Sequence, residues 1–505
     1  MTDTAALVAP TNSPLPSRSS GATTAPEPSS IVALFEAQVT RDPHRHAIEH
    51  LSQTMTYSEL DDAAETLAAH LNSLGIGHGD VVGVFLERSF DMVIGILAAL
   101  KTGAAYAPQD ARISPRAQLG LVAASAHMRV ALTTERFVDA MPEGVQVVRI
   151  DVERGRVPRP RVSTLPSDTC AVIFTSGTTG SPNGVQVTNG NLMNLFTNSP
   201  GNLGITPGTR VGQVLNIAFD MAMWETLGTL VNGGTLVIRG SDIAATAAQV
   251  DVLIATPSIV GTLSSSRCRA RTVVVAGERC PQALADEWAQ DHRFLNSCGP
   301  TEITIINTLV EHVVGRPLTI GTPVPGTTVH VLDADLQPVP PGEIGEMWVG
   351  GAGVTAGYIG DAELTAERYL PDPFAKEGGR MFRTRDVGRW TSQGELEHLS
   401  RTDDQVKVRG FRVELDSVAR ALETSAECTA AVAVQLDSRR LGAVIVPATA
   451  DLDAARSAVA ALLPYYCVPA EIVAVDRLPL TIRGKVDRAA VRSMIETATP
   501  SRRVA

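Results

Sequence analysis

The sequence predicts an α/β protein: a large N-terminal core of layered α/β sheets with an added β subdomain, then a small, mobile α+β C-terminal domain. Three observations carry that expectation. Short apolar runs alternate with segments of helical periodicity from residue 31 to about residue 300. Beyond about residue 321, closely spaced glycines and alternating strand patterns replace that rhythm. At 401–404 a polar, turn-forming RTDD stretch precedes a last segment with strand and helix signals of its own.

Taken in order, residues 1–30 are rich in Ser, Thr, Pro and Ala and read as a disordered tail, because they have too little apolar surface to offset the entropy of ordering. Ile31, Leu34, Phe35 and Val39 then recur at helical spacing. Tyr57, Leu60, Ala64, Leu67, Leu71 and Leu74 repeat the pattern until Gly75 stops it. VVGVFL at 81–86 reads as a buried strand, 90–102 as a helix and AAYAP at 104–108 as the next strand, which is a βαβ pattern. Further strands are expected at 130–132, 171–174, 252–255 and 273–276 in the core, and at 328–332, 345–350 and 396–399 in the β subdomain. The last segment offers strands at 405–408 and 430–434 around a helix at 415–422. The expected division is a tail to residue 30, a core over 31–402, a C-terminal lid over 403–495 and a second tail over 496–505, with the 401–404 junction as hinge.

Composition excludes several classes. The 505 residues carry a formal charge of −11 without a basic run, which argues against nucleic acid as the main partner. Cys170, Cys268, Cys280, Cys298, Cys428 and Cys467 show no CxxC or Cys/His ligand spacing, so neither a disulfide framework nor a zinc site is expected. No leader pattern opens the chain and no apolar run is long enough to span a bilayer, so a cytoplasmic location is expected.

The stretch TSGTTGSPNG at 175–184 follows the apolar CAVIF of 170–174 and reads as a phosphate cradle. Its glycines let the backbone approach a polyanion, and its hydroxyls donate charge-assisted hydrogen bonds of roughly 1.5–3 kcal/mol each. It is not a Walker A loop, because Val185 stands where that motif needs lysine.

Around it lies an ordered series: TYSEL (56–60), LKTGAAYAPQD (100–110), FDMAMWE (219–225), NSCGPTE (296–302), GEIGEMWVGGAGVTAGY (342–358), FRTRDVGRW (382–390), RTDDQVKVRGFRVEL (401–415), LPYYCVP (463–469) and RGKVDR (483–488). In motif content and order the chain resembles the adenylate-forming enzymes, specifically a nonribosomal peptide synthetase adenylation domain, from about residue 31 to residue 488. The resemblance implies ATP and Mg2+ as cofactors and two half-reactions: an acid attacks the α-phosphorus of ATP, and a thiol then takes the acyl group.

It also implies roles. Thr175, Ser176, Gly177, Thr178, Thr179, Gly180 and Gly184 would hold phosphates, and Cys298 and Gly299 would sit by the nucleotide. Asp386 would accept the ribose hydroxyls, Arg401 would contact nucleotide, and Glu302 would bind the metal with Thr301 on phosphate. Lys485 would be the catalytic cation bridging substrate carboxylate and α-phosphate, and Asp403 the hinge. Lys407, just after the hinge, would contribute to the second face that the small domain presents.

The same resemblance places Asp220, Met221, Trp224, Ala255, Val274, Ala276, Ser297, Ile305 and Ile306 around the substrate. A carboxylate at Asp220 suits an α-ammonium group and so an amino acid. The remaining positions lack formal charge, which favours an apolar side chain, branched aliphatic or compact aromatic. The implied acceptor is a carrier protein acting in trans, and some family members also need a small activator protein. Two alternatives stay open: transfer to coenzyme A or an amine, and a non-catalytic fold that only binds.

Four positions depart from the family pattern. Asn183 stands where the loop usually has lysine, so weaker ATP or pyrophosphate binding is expected. Cys298 replaces a tyrosine beside the adenine, and Ser400 a glycine before Arg401. Arg385 replaces the glycine before Asp386 and adds a cation that would offset Asn183 if the two were close.

Overall fold

The computed structural model describes residues 29–155, 161–176, 182–375, 378–480 and 486–498. The first tail falls outside them except at its end. There Ser30 is buried and caps the helix Ile31–Arg41 by accepting a hydrogen bond from the Ala33 N–H.

Two sheets form the core. In the six-stranded one, Gln146–Arg149, Val130–Thr133, Val81–Phe85, Ala105–Gln109 and Thr169–Thr175 run parallel, and Asn183–Thr188 closes the edge antiparallel to Thr169–Thr175. The nine-stranded sheet is built on a parallel run of Arg293–Cys298, Thr272–Val275, Val252–Ala255, Arg210–Gln213, Thr235–Ile238 and His46–His50. Such strands are covered on both faces, which is why they read as unbroken apolar runs rather than alternating ones. The helices Phe90–Lys101 and Met221–Val231 are buried on nearly every side and belong, with strands of both sheets, to one apolar core.

The β subdomain is a five-stranded antiparallel sheet. Thr327–Leu332 and Gly345–Gly351 match the expected strands, and Leu396–Arg401 extends its expected run to Arg401. Its long central strand, Gly379–Trp390, falls over the FRTRDVGRW motif, whose many charged residues hide the strand pattern.

Past the junction, Gln405–Val408 and Phe411–Glu414 form a hairpin. Arg409 (φ 54°) and Gly410 (φ 83°) both take left-handed backbone, the two-residue turn that matches strand twist. The small domain is a three-stranded sheet, Ala430–Asp437, Arg440–Val446 and Glu471–Ala474. Alternation divides its faces: Ala431 and Ala433 share a core with the helix Leu415–Glu423, whereas Val432 and Val434 share one with Arg488–Ala498. The latter helix buries Val491 and Ile495 and runs past residue 496, where a tail was expected. No helix among the described residues is long and apolar enough to cross a membrane.

Candidate active site

A cavity of about 500 Å3 opens where the C-terminal ends of the parallel strands meet the β subdomain and the C-terminal hairpin. Thr175 and Ser176 reach it from Thr169–Thr175, and Ala276 follows Thr272–Val275. Ser297 and Cys298 end Arg293–Cys298, and Asp386 and Arg401 come from paired strands of the subdomain. Asp220, Met221, Gly299, Thr301, Ile305 and Lys407 complete the set of sequence-predicted residues on its wall.

Others stand behind that wall. Trp224 is fully buried, and its indole N–H donates to the Gly201 carbonyl at 2.7 Å. Ala255 and Val274 are fully buried in the strands beneath, and Ile306 is buried beside Gly299. Gly184 also sits off the wall. A side chain there would come within 2.6 Å of Ile359, so glycine permits the close packing of the loop's far end. Gly177, Thr178, Thr179, Gly180 and Lys485 lie outside the described residues.

Asp220 stands at the N-terminus of Met221–Val231, where its carboxylate accepts from the Met221 N–H at 2.7 Å. Burial raises its pKa, and a hydrogen bond from Thr301 and the charge of Lys407 oppose that rise. Lys407 itself is shifted down, by burial first and then by Arg412, with Asp220 pulling the other way. Ser297 donates to the Val275 carbonyl at 2.9 Å, which fixes the wall between them.

Glu302 lies in the short 3-10 turn Thr301–Ile303, fully buried. Arg412 Nη1 donates to both carboxylate oxygens, at 2.9 and 3.0 Å, and the Tyr358 hydroxyl donates at 2.7 Å. Burial alone would raise its pKa. Arg412, then Arg368 and Tyr358, overcome that and hold it at about 2. Thr304 (φ 60°) and Ile305 (φ 73°) follow in left-handed backbone, a rare setting for β-branched side chains. The Thr304 hydroxyl anchors this strained turn on the Gly353 carbonyl at 2.7 Å.

Asp386 accepts on Oδ1 from Arg401 and, at 3.1 Å, from His398. These contacts hold its pKa below the ordinary value despite burial. The same Arg401 grips Asp403 through two nitrogens at 2.8 and 2.9 Å. Arg385 takes left-handed backbone (φ 63°). Its guanidinium is taken up by Glu367 at 2.8 Å and Asp403 at 3.8 Å. Asn183 opens the strand Asn183–Thr188, where its carbonyl accepts from the Thr175 hydroxyl at 3.4 Å. Burial pushes the Cys298 thiol up to about 12, so it is neutral and not a nucleophile at physiological pH. Ser400 is exposed on Leu396–Arg401.

The hairpin supplies Arg412, which the sequence reading missed, opposite Lys407, which it had named. Lys407 and Arg412 are direct cross-strand partners and both line the cavity. Phe411 stacks between Tyr466 at 3.6 Å and Phe219 at 4.2 Å, which joins the small domain to the residue before Asp220. Ser176 donates to the Arg412 carbonyl at 3.0 Å. The signal was present: VKV-RG-FRV is a two-residue turn between alternating strands, and its register puts Lys407 and Arg412 on one face. The acidic trio Glu36, Asp61 and Glu65 is a separate cluster, bridged by the Lys101 ammonium at 2.7, 2.8 and 2.7 Å.

A cleft of this kind, with a hydroxyl-bearing strand end, the half-buried Asp220 and the Asp386–Arg401 pair on one cavity and the buried Glu302 bonded to Arg412 of its wall, suits a nucleotide-dependent acid-activating enzyme. Residues 35–359 match the model of the AMP-binding enzyme family, and the chain belongs to that family. It is 43% identical over 472 residues to Adenylate-forming reductase 03009 of Coprinopsis cinerea, covering 91% of this chain and 46% of the relative. It is 33% identical over 512 residues to Novobiocin biosynthesis protein H of Streptomyces niveus, covering 94% of this chain and 84% of that protein. The chain thus spans less than half of the reductase and most of the novobiocin protein. Among solved structures, a nonribosomal peptide synthetase protein containing adenylation and PCP domains matches with a TM-score of 0.83 and 25% identity, over 93% of this chain and 98% of that one. The fold is therefore that of the adenylation domains, with a large N-terminal core and a smaller C-terminal unit, and the class is acid-activating and adenylate-forming.

Proposed function

We propose that the protein activates an amino acid as its adenylate and passes the aminoacyl group to the phosphopantetheine thiol of a carrier protein. In the first step the substrate carboxylate attacks the α-phosphorus of ATP and pyrophosphate leaves. In the second, the thiol sulfur bonds to the acyl carbon and AMP leaves. The observation that carries the amino-acid reading is Asp220: a half-buried carboxylate on the wall of a cavity whose neighbouring Met221, Ala276 and Ile305 are apolar. Lys407 already brings an ammonium group into the electrostatic reach of that carboxylate, so the site tolerates a cation there.

In this reading Asp386 accepts the ribose hydroxyls, Arg401 orients it, and Thr175 and Ser176 begin the phosphate cradle completed by residues 177–180 and 184. Lys485 supplies positive charge at the reacting carboxylate and α-phosphate. Glu302 fits a divalent cation, because it is a buried, fully ionised carboxylate whose closest countercharge arrives on a separate domain. Bound there, Mg2+ would neutralise the phosphates of ATP. Met221, Ala276 and Ile305 would meet an aliphatic or compact aromatic side chain, while Trp224, Ala255, Val274 and Ile306 would shape the pocket from behind. A small activator protein remains part of the reading as an addition to the assay.

A second reading has its own support. The reductase relative is more similar than the novobiocin protein, which favours an acid passed on for reduction. The test is acid-dependent ATP–pyrophosphate exchange over amino, aryl and fatty acids, with and without an added activator, in wild type and Asp220→Ala. Amino-acid-dependent exchange that Asp220→Ala abolishes supports the proposal. Exchange driven equally by desamino acids overturns the amino-acid assignment, and silence across the set overturns activation altogether.

A further inference from the structure

We propose that Arg412 stands in for the divalent cation at Glu302, so that metal binding and docking of the 405–414 hairpin exclude one another. The inference rests on the reading of Glu302 as the metal carboxylate and adds to it a mechanism by which one domain senses the metal.

Glu302 is fully buried, and its place is fixed from the core side. Its own carbonyl accepts from the Thr355 N–H at 3.1 Å and the Thr355 hydroxyl at 3.0 Å. A carboxylate so placed cannot stay ionised without a cation nearby. Two cations act on it, Arg368 and Arg412, and Arg412 is the one in direct contact. Arg412 lies 110 residues further along the chain, on a hairpin that begins just after the Asp403 junction.

The contact is also an incomplete one. Both oxygens are met by Nη1, while Arg412 Nε makes no hydrogen bond among the described residues and faces the Glu414 carboxylate at 3.7 Å. A guanidinium that used its planar fork on the carboxylate would hold it more firmly. With Tyr358 already on one oxygen, a divalent ion and Arg412 would crowd the same carboxylate and repel each other in a low-dielectric site. Docking also engages the phosphate loop, because the Arg412 carbonyl takes the Ser176 hydroxyl that a phosphate would otherwise receive. One residue thus answers, by its side chain and its backbone, two groups that metal–nucleotide binding requires.

The coupling is reciprocal by linkage: metal must expel the hairpin as strongly as the hairpin expels metal. It is tested on the full chain with Mn2+ as the probe, titrated in the presence of a non-hydrolysable ATP analogue and counted by the paramagnetic resonance of the free ion. Hydrogen–deuterium exchange across 405–414 reports docking. Mn2+ with the analogue is expected to accelerate that exchange in wild type, and the analogue with chelator is not. Arg412→Gln is expected to bind Mn2+ about tenfold more tightly and to exchange quickly without metal, while Arg412→Lys, which keeps the charge, stays near wild type in both.

Unchanged Mn2+ affinity in a folded Arg412→Gln overturns the inference. So does wild-type hairpin exchange that is indifferent to Mn2+, a measurement that holds even if the variant fails to fold. Either result leaves amino-acid-dependent pyrophosphate exchange untouched and so spares the proposed function. Failure of wild type to take Mn2+ at all would remove the metal assignment of Glu302 and the inference together.

Discussion

Asp386 and Asp403 are held by one guanidinium: Arg401 donates through Nη1 to Asp386 and through Nε and Nη2 to Asp403, at 2.8 and 2.9 Å. Asp386 and Arg401 are direct neighbours across antiparallel strands, and Asp403 follows two residues later at the junction. The proposed ribose acceptor and the proposed hinge therefore share one guanidinium as partner.

Arg401→Lys tests that link. A lysine keeps the charge but loses the fork that reaches two carboxylates at once. The expected result is weaker AMP binding by about tenfold and a stability loss of roughly 1–3 kcal/mol, the scale of a charged hydrogen bond removed. Calorimetric titration with AMP and thermal unfolding measure the two. Unchanged AMP affinity would separate Arg401 from the nucleotide.

Gly410→Ala addresses the hairpin tip. The glycine has φ 83°, and a Cβ there would come within 2.6 Å of Thr256 Cγ2 on the core. Backbone strain and the clash both oppose the docked state. Thioester formation should fall by about tenfold or more, with pyrophosphate exchange retained, because only the docked arrangement needs the close approach. Equal loss of both half-reactions would count against a docking role for this turn.

Arg385 is a non-glycine residue at φ 63°. Arg385→Ala keeps the left-handed backbone strain and loses the ion pairs to Glu367 and Asp403, whereas Arg385→Gly loses the same pairs and relieves the strain. The glycine variant should therefore unfold at a higher temperature than the alanine variant, by about 1 kcal/mol of stability. Equal stability of the two would mean the strain is carried by neighbouring residues.

Much of this was legible in the sequence, for reasons that differ by residue. The buried strands over 81–86, 252–255 and 273–276 announced themselves because parallel strands covered on both faces need continuous apolar runs. Asp220, Asp386 and Arg401 were legible through motif order, and the fold does bring them to one cavity. The same motif order put Trp224 around the substrate, and the fold sets it behind the cavity wall. It sits on a helix buried on every side, so periodicity could not tell which face meets the cavity, and its indole N–H turns instead to Gly201. The Arg412–Glu302 pair was out of reach for another reason: nothing local links residues so far apart, although hairpin alternation already put Arg412 beside Lys407.

Glu225 yields a pH prediction whose sign follows from burial. It is fully buried in Met221–Val231, where it accepts from the Val214 N–H at 2.8 Å, the Leu215 N–H at 3.1 Å and the Gln213 amide at 3.1 Å. These bonds pin the end of the strand Arg210–Gln213 from which the chain runs on to Phe219 and Asp220. Burial pushes the Glu225 pKa from 4.5 up to about 8, against the pull of those hydrogen bonds and of Arg88. Between those values the unfolded chain has released the proton and the folded one still holds it. The stability this group contributes is thus complete below about pH 4.5 and is lost as pH rises through about 8. The loss is on the order of a few kcal/mol. Glu225→Gln, which stays neutral, should show a melting temperature that declines less than that of wild type between about pH 5 and pH 8. Parallel pH profiles for the two proteins would mean that Glu225 is already ionised in the fold, with Arg88 as its effective partner.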